Sequence, residues 1–235
     1  MTFPHHHPDD QLLIGYASGQ EREGKSLLVA THLAYCPDCR RRVAAFEALC
    51  GSWFEELPGQ STDGLDGLLD RMDGLLAAPP GSADKPMEGK PAEDAAPRLT
   101  GVSREPANTL VPEPLRGWLP EAIDSPVDCG SWTELSPGVW LSAWQRTLAG
   151  TNICLLRMAH DAPVPAHRHT ADELLLVLRG AFSDEYGRYG LGDVAQYSAN
   201  TDHHARGASE EDCICLFLLD GDLIFLDGQE ERRAG

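Results

Sequence analysis

The sequence predicts a two-domain protein, with an all-α bundle at the N-terminus and an all-β domain at the C-terminus. Up to residue 77, apolar residues recur at spacings of three and four, which is the period of an amphipathic helix. Residues 79–98 are rich in proline, alanine and charge, a composition typical of an extended linker. From Trp132 onward, short apolar runs alternate with glycine and acidic turns, as in a β-sandwich or barrel. We therefore expect a helical domain at 1–78, a flexible Pro/Ala-rich linker at 79–110 and a β domain at 111–230.

Three short helices are predicted before residue 55. Asp9 or Asp10 can cap the first helix, which ends near Gly19. The second is expected to start at about Glu23, and Pro37 suits the start of the third because the N–H that proline lacks has no partner there. The apolar residues that mark these helices are Leu12, Leu13 and Tyr16, then Leu27, Leu28 and Leu33, then Val43, Phe46, Leu49 and Trp53. Such a small bundle buries little apolar surface, so it usually needs a staple such as a metal ion.

A fourth helix is predicted over residues 63–76. One of its faces is acidic, and the opposite face is an apolar stripe that contains Leu65, Leu68, Leu69, Met72 and Leu76. The stripe either packs on the three preceding helices or enters the groove of a partner protein, since both uses need the same spacing.

The β domain is predicted from runs of β-branched and aromatic residues that stop at glycine or acidic turns. We expect strands at residues 139–144, 153–156, 173–178, 181–186, 193–197, 213–219 and 223–226. The run at 173–178 is nearly continuous in apolar residues and stops at Gly180.

Composition narrows the class of partner. The net charge is −18, so direct nucleic-acid binding is disfavoured and a basic protein partner fits better, although the charge by itself is explained most simply by solubility. No apolar run approaches the roughly 20 residues of a membrane span, and the first twenty residues lack the pattern of a signal peptide. We expect a cytoplasmic protein, in which the odd count of seven cysteines does not form a disulfide framework.

The N-terminal half contains a candidate zinc site. His32, Cys36 and Cys39 form H-x3-C-x2-C, in which two thiolates come from one turn and the histidine lies four residues earlier. Structural zinc takes four such ligands, and His7 can supply the fourth, with His5 and His6 as competitors. A redox-active Cys-x-x-Cys pair would need a βαβ context, whereas the surroundings here are helical. A third possibility is that the cysteines are simply buried.

The C-terminal half contains a second candidate metal site. His167 and His169 are two residues apart, so on a strand they face the same way. Glu173 can add a carboxylate and His203 a third imidazole, with the adjacent His204 as an alternative. Three histidines and one carboxylate suit zinc, manganese, iron or nickel, and the sequence does not choose among these divalent metals.

Both sites resemble known families. His167-x-His169-x3-Glu173-x6-Gly180 and the segment from Gly192 to His203 resemble the two cupin motifs, which implies a double-stranded β-helix barrel. Ser198 and Asn200 stand where that second motif usually has proline and glycine. The segment from His7 to Cys39 resembles the zinc-binding anti-sigma domain, and the whole order of modules resembles the ChrR-type anti-sigma factors.

That resemblance implies a function. It implies a non-enzymatic transcriptional regulator that holds an extracytoplasmic-function sigma factor in a 1:1 complex, with the stripe of residues 65–76 against the sigma factor. It also implies that the cupin domain senses an oxidative signal, such as singlet oxygen or organic peroxide, and triggers release. Cys213 and Cys215 face one way on a predicted strand, and they are either redox-active or buried in the barrel.

Two other functions remain open from the sequence. The chain could be a metal-dependent, dioxygenase-like cupin oxidoreductase whose N-terminal zinc domain regulates it, because the cupin ligands suit such chemistry. It could also be a cupin that binds a small ligand without chemistry, since a fold does not fix a function.

Overall fold

The computed structural model describes residues 3–55, 112–116, 132–148, 150–227 and 230–233. Within these ranges, the residues up to 54 and those from 112 onward form one compact unit. The predicted helix at 63–76, the predicted linker at 79–110 and Cys129 lie outside the described residues. No helix in the described ranges is long and apolar enough to cross a membrane.

The three predicted N-terminal helices are confirmed. They are α1, Asp10–Ala17; α2, Glu23–Tyr35; and α3, Pro37–Glu55. Asp9 caps α1, because its carboxylate accepts a hydrogen bond from the N–H of Leu12 at 2.7 Å. Gly19 follows α1 with φ of +70°, the left-handed conformation that commonly ends a helix. A single helical turn, Glu113–Arg116, packs its buried Leu115 beside α2.

The C-terminal half is all β. Its strands are β1 Trp132–Ser136, β2 Val139–Leu148, β3 Thr151–Met158, β4 His167–His169, β5 Glu173–Arg179, β6 Phe182–Ser183, β7 Arg188–Tyr189, β8 Val194–Tyr197, β9 Arg206–Gly207, β10 Cys213–Leu219, β11 Leu223–Asp227 and β12 Glu230–Arg233. In the described residues they form one sheet in the order β1-β2-β3-β10-β5-β8, a second in the order β12-β11-β4 and a third in the order β7-β6-β9. All the pairings between these strands are antiparallel. The predicted all-β domain with a helical N-terminal region is confirmed.

One predicted strand is shorter than expected. The sequence predicted a strand over 181–186, but β6 covers only Phe182–Ser183. Asp184 ends it, because its Oδ1 accepts hydrogen bonds from the N–H groups of Tyr186 at 2.8 Å and Gly187 at 3.0 Å. An aspartate that bonds the backbone two residues ahead favours a turn over a strand.

Strands β5 and β10 of the six-stranded sheet are buried on both faces. In β5, Leu174, Leu176 and Leu178 face the same apolar cluster as α1 and α2, whereas Leu175 and Val177 face the barrel interior. Strand β10 alternates in the same way, with Leu216 and Leu218 toward the helices and Cys213 and Cys215 inward. Because successive side chains of a strand point to opposite faces, a continuous apolar run requires cover on both sides. Here the N-terminal helices supply the outer cover.

Polar contacts fix α2 on the sheet. The ammonium of Lys25 lies 3.1 Å from the carboxylate of Asp172 and 3.0 Å from that of Asp220. Burial alone would lower the pKa of Lys25, but the hydrogen bonds that it donates to these two carboxylates raise it. Asp172 lies directly before Glu173, so one end of α2 contacts the loop that carries the candidate cupin ligands.

Candidate metal centres

The four residues predicted for the N-terminal site come together in the structure. One side-chain donor atom from each of His7, His32, Cys36 and Cys39 lies within 4.8 Å of the others. His7 precedes α1, His32 is in the last turn of α2, and the two cysteines flank the start of α3. The group therefore joins three helices at one point, which is the arrangement expected of a structural staple.

His32 has the geometry of a metal ligand. Its ring is fully buried, and its Nδ1 donates a hydrogen bond to the carbonyl of Gly192 at 2.8 Å. That bond leaves Nε2 with the lone pair, and Nε2 is buried without a hydrogen-bond partner in the described residues. Burial, opposed by the bond to Gly192, lowers the pKa of His32 to about 4, so the ring is neutral at pH 7. A neutral imidazole held by its other nitrogen is the form that binds metals.

The two thiols complete the donor set. His7 Nδ1 lies 3.4 Å from both sulfur atoms, and both cysteine side chains are buried. Without a metal, burial raises the pKa of Cys39 to about 12, so a cation is needed to favour its thiolate. Two thiols and two imidazoles fit zinc, which would bind the four residues and stabilise their arrangement.

The competing histidines occupy other positions. The ring of His6 packs on Tyr189 at a centroid distance of 4.4 Å, and that of His5 is exposed. Of the three consecutive histidines, His7 is therefore the one whose ring lies beside the cysteines.

The structure brings three of the four predicted cupin ligands into one group. Donor atoms of His167, Glu173 and His203 lie within 4.8 Å of one another, and all three side chains are buried. His169 is outside that group, but its buried Nε2 has no partner in the described residues and its ring centroid is 5.8 Å from that of His203. His169 thus lies next to the group, and its role as the fourth ligand stays a prediction.

Strand β4 orients two of these histidines. His167 and His169 are buried and the intervening Arg168 faces outward, as the alternation of a strand predicts. Each histidine donates its Nδ1 hydrogen to a backbone carbonyl, His167 to Pro165 at 2.8 Å and His169 to Ala171 at 2.7 Å. The Nε2 atoms are therefore available as ligand atoms, as is Nε2 of His32 in the N-terminal site.

The carboxylate of Glu173 and the neighbouring imidazoles of the cupin group change one another's pKa. Glu173 Oε1 lies 3.2 Å from His203 Nε2, and Oε2 lies 3.6 Å from His167 Nε2. Burial alone would raise the pKa of Glu173, but the neighbouring imidazoles lower it to about 2. Burial alone would likewise lower the pKa of His203, but the carboxylates of Asp184 and Glu173 raise it to about 9. A metal that binds here must displace this proton, and the carboxylate remains to balance its charge.

The turn before His203 explains one of the two departures from the cupin motif, Asn200 in place of glycine. Asn200 has φ of +62°, a left-handed conformation that asparagine adopts more readily than other non-glycine residues. Its N–H donates to the carbonyl of His169 at 2.9 Å, which ties the turn to β4. The replacement of glycine by asparagine therefore preserves the turn.

Two residues that the sequence analysis missed support His203. The ring of Tyr197 stacks on that of His203 with centroids 4.0 Å apart, and its hydroxyl donates to Asp184. The buried Asp184 carboxylate lies 3.8 Å from His203 Nδ1. The alternative ligand, His204, is exposed and pairs with Glu185 at 2.6 Å.

The side chains around the cupin group are mostly apolar. A cavity beside Glu173 is lined by residues that include Leu141, Leu156, Val164, Leu175 and Phe217. Cys213 and Cys215 are fully buried with their sulfur atoms 3.6 Å apart, and burial raises the pKa of Cys215 well above its ordinary value. Such a thiol stays protonated and is poorly reactive, which agrees with the burial alternative.

We expect His203→Ala to remove the cupin metal and His204→Ala to leave it in place. Loss of a direct ligand should reduce affinity by more than the ~10–100-fold typical of a change in the outer shell. Metal content after dialysis, measured by mass spectrometry on a Cys36→Ser/Cys39→Ser background, reports this site alone. Equal metal content in the two variants would contradict the assignment.

Comparisons with known proteins agree with this architecture. Residues 126–222 match the family model described as the ChrR Cupin-like domain. The chain is 33% identical over 222 residues to the Anti-sigma-E factor ChrR of Cereibacter sphaeroides, covering 94% of this chain and 92% of that protein. It also resembles the crystal structure of Rhodobacter sphaeroides SigE in complex with the anti-sigma ChrR, with a TM-score of 0.67 and 30% identity. That match covers 92% of this chain and 98% of the other.

Proposed function

Since the chain belongs to the ChrR family of anti-sigma factors, we propose that it binds an extracytoplasmic-function sigma factor in a 1:1 complex. Binding keeps the sigma factor from RNA polymerase, so the chain acts in the cytoplasm as a transcriptional regulator and not as an enzyme. The observation that carries this proposal is the similarity across nearly the whole chain to ChrR, a protein whose crystal structure contains SigE.

The N-terminal half is the sigma-binding part of this proposal. Zinc held by His7, His32, Cys36 and Cys39 fixes the helices relative to one another, because metal-binding free energy acts as folding free energy in small domains. The stripe of Leu65, Leu68, Leu69, Met72 and Leu76 provides the apolar anchors for the partner. This stripe lies outside the described residues, so its role rests on its spacing in the sequence.

The cupin half is the sensor. A divalent metal held by His167, His169, Glu173 and His203 would lie beside an apolar cavity. There it would supply the redox or Lewis-acid chemistry by which a small oxidant, such as singlet oxygen or an organic peroxide, is sensed. Lys25 connects the helices to the loop that carries Glu173, so a change at the cupin site can reach the sigma-binding half.

The test has two arms. The full chain, tagged and isolated from its native cells, should retain a protein identified by its sequence as a sigma factor, and the purified chain should inhibit transcription by that factor. An organic hydroperoxide should then release the factor from the wild-type chain but not from Glu173→Ala. Retention of no sigma factor by a folded, metal-loaded chain would overturn the binding proposal. Release from Glu173→Ala at the wild-type rate would overturn the sensing proposal alone.

A further inference from the structure

The N-terminal metal site is supported by the cupin barrel as well as by its own helices. The turn between β7 and β8 ends in Gly192 and Asp193, which contact two different ligand-bearing segments. Neither residue belongs to the four proposed zinc ligands or to the four proposed cupin ligands.

Asp193 holds the segment that carries His7. Its side chain is buried, at 3% exposure, and Oδ1 accepts hydrogen bonds from the backbone N–H groups of His5 at 2.6 Å and His6 at 2.9 Å. The carbonyl of His6 accepts in turn from the N–H of Val194 at 3.1 Å. The chain immediately before His7 is thus fixed by three hydrogen bonds to the barrel.

Gly192 holds the second histidine. Its carbonyl accepts the Nδ1 hydrogen of His32, which sets the orientation of that ring. The contact requires glycine, since φ is +82° and an added Cβ would lie 2.8 Å from the Cβ of Tyr35 and 2.9 Å from Cγ of Pro4. The turn itself is braced by Asp193, whose Oδ2 accepts the N–H of Gly190 at 2.7 Å.

We propose that Asp193 is a positioning residue of the N-terminal metal site, through which the barrel sets the placement of His7 and His32. An outer-shell partner that orients a ligand usually changes metal affinity about 10–100-fold when it is removed. Metal binding and docking of the helices on the barrel are then coupled, because each favours the arrangement that the other needs. If the turn at residues 190–193 opens, the affinity of the N-terminal site for zinc falls. If zinc is lost, the helices pack less stably on the barrel.

Cobalt(II) in place of zinc tests this in the full chain. The charge-transfer band between thiolate and cobalt reports only a site with cysteine ligands, so metal in the cupin site does not interfere. We expect Asp193→Ala to bind cobalt at the thiolate site at least tenfold more weakly than the wild type, and to release zinc faster to a chelator. Asp193→Asn keeps one acceptor oxygen, so its cobalt affinity should lie between those of Asp193→Ala and the wild type.

Asp172→Ala is the matched control. It removes one of the ion pairs between α2 and the barrel but contacts no ligand of the N-terminal site. If the proposal is right, this control loses much less cobalt affinity than Asp193→Ala, because it leaves the hydrogen bonds to residues 5–6 and to His32 in place. Wild-type affinity in both Asp193 variants, or an equal loss in Asp172→Ala, would overturn it, because general docking would then account for the contact. The inference rests on the proposed zinc site and not on sigma binding, and a missing thiolate band in the wild type would overturn both the zinc site and the inference.

Discussion

The double substitution Cys36→Ser and Cys39→Ser is expected to abolish sigma-factor binding. Zinc sites of this kind contribute about 10–16 kcal/mol in small domains, which is comparable to the roughly 5–15 kcal/mol that stabilises a whole domain. Helices α1 and α2 share an apolar core with the barrel, but α3 joins that core mainly through its first two turns. Removal of the metal should therefore release α3 first.

Three measurements check this expectation. The variant should contain one zinc fewer per chain, should lose helical circular dichroism equivalent to much of α3, and should show no measurable binding to the sigma factor. Cys50→Ser is the matched control, because Cys50 is a half-buried residue of α3 outside the metal group. If the double variant loses its zinc yet binds the sigma factor with unchanged affinity, the zinc is not needed for the sigma-binding surface.

Local signals explain why the helices and most strands could be predicted. Asp9 and Pro37 mark helix starts through hydrogen bonds and backbone geometry that involve only neighbouring residues. The strand predicted at 213–219 matches β10 residue for residue, because a continuous apolar run between glycine and acidic turns leaves few other choices. Metal-ligand spacing is local in the same sense, and it found His32, Cys36 and Cys39 at one site and His167 and Glu173 at the other. His7 and His203 lie 25 and 30 residues from the nearest of these ligands, so spacing alone did not identify them.

Contacts between distant segments could not be predicted in this way. The apolar run of β5 could be identified in the sequence, but the packing of α1 and α2 on its outer face could not, because the run does not indicate which distant segment covers it. Asp184 and Asp193 look like ordinary turn residues in the sequence, because acidic residues are common in turns. Their roles depend on His203 and on residues 5–6, which lie 19 and more than 180 positions away.

Helix α2 contacts the cupin domain at both of its ends. Lys25 at the start of α2 contacts Asp172, next to the cupin ligand Glu173, and His32 at the end of α2 contacts Gly192. One helix thus connects the loop of the cupin site to the zinc site. Under the proposed sensing function, α2 is the contiguous path by which a change at the cupin site would reach the N-terminal half, and transmission requires two arrangements of this helix that both sites bias.

The substitution of Leu69 and Met72 together by aspartate is expected to weaken the sigma complex by about a thousandfold. Removal of one buried apolar anchor of a helix in a groove typically costs at least about 2 kcal/mol of binding free energy. Loss of two anchors would cost about 4 kcal/mol, which corresponds to a factor of about 1,000 in Kd. Two added charges in an apolar interface would also be desolvated without a partner. The complex of the purified variant with the sigma factor should be measured by calorimetry.

Asp70→Ala is the control for this pair, because it changes the acidic face of the same predicted helix and should leave the Kd nearly unchanged. An unaltered Kd for the Leu69 and Met72 variant would rule out the stripe as the sigma-binding surface. Among the described residues, the next candidates would be Leu49 and Trp53 on α3, since they are 54% and 62% exposed and lie one helical turn apart. Substitution of both residues by aspartate would then be expected to cause the loss of sigma-factor affinity that substitution of the stripe residues did not.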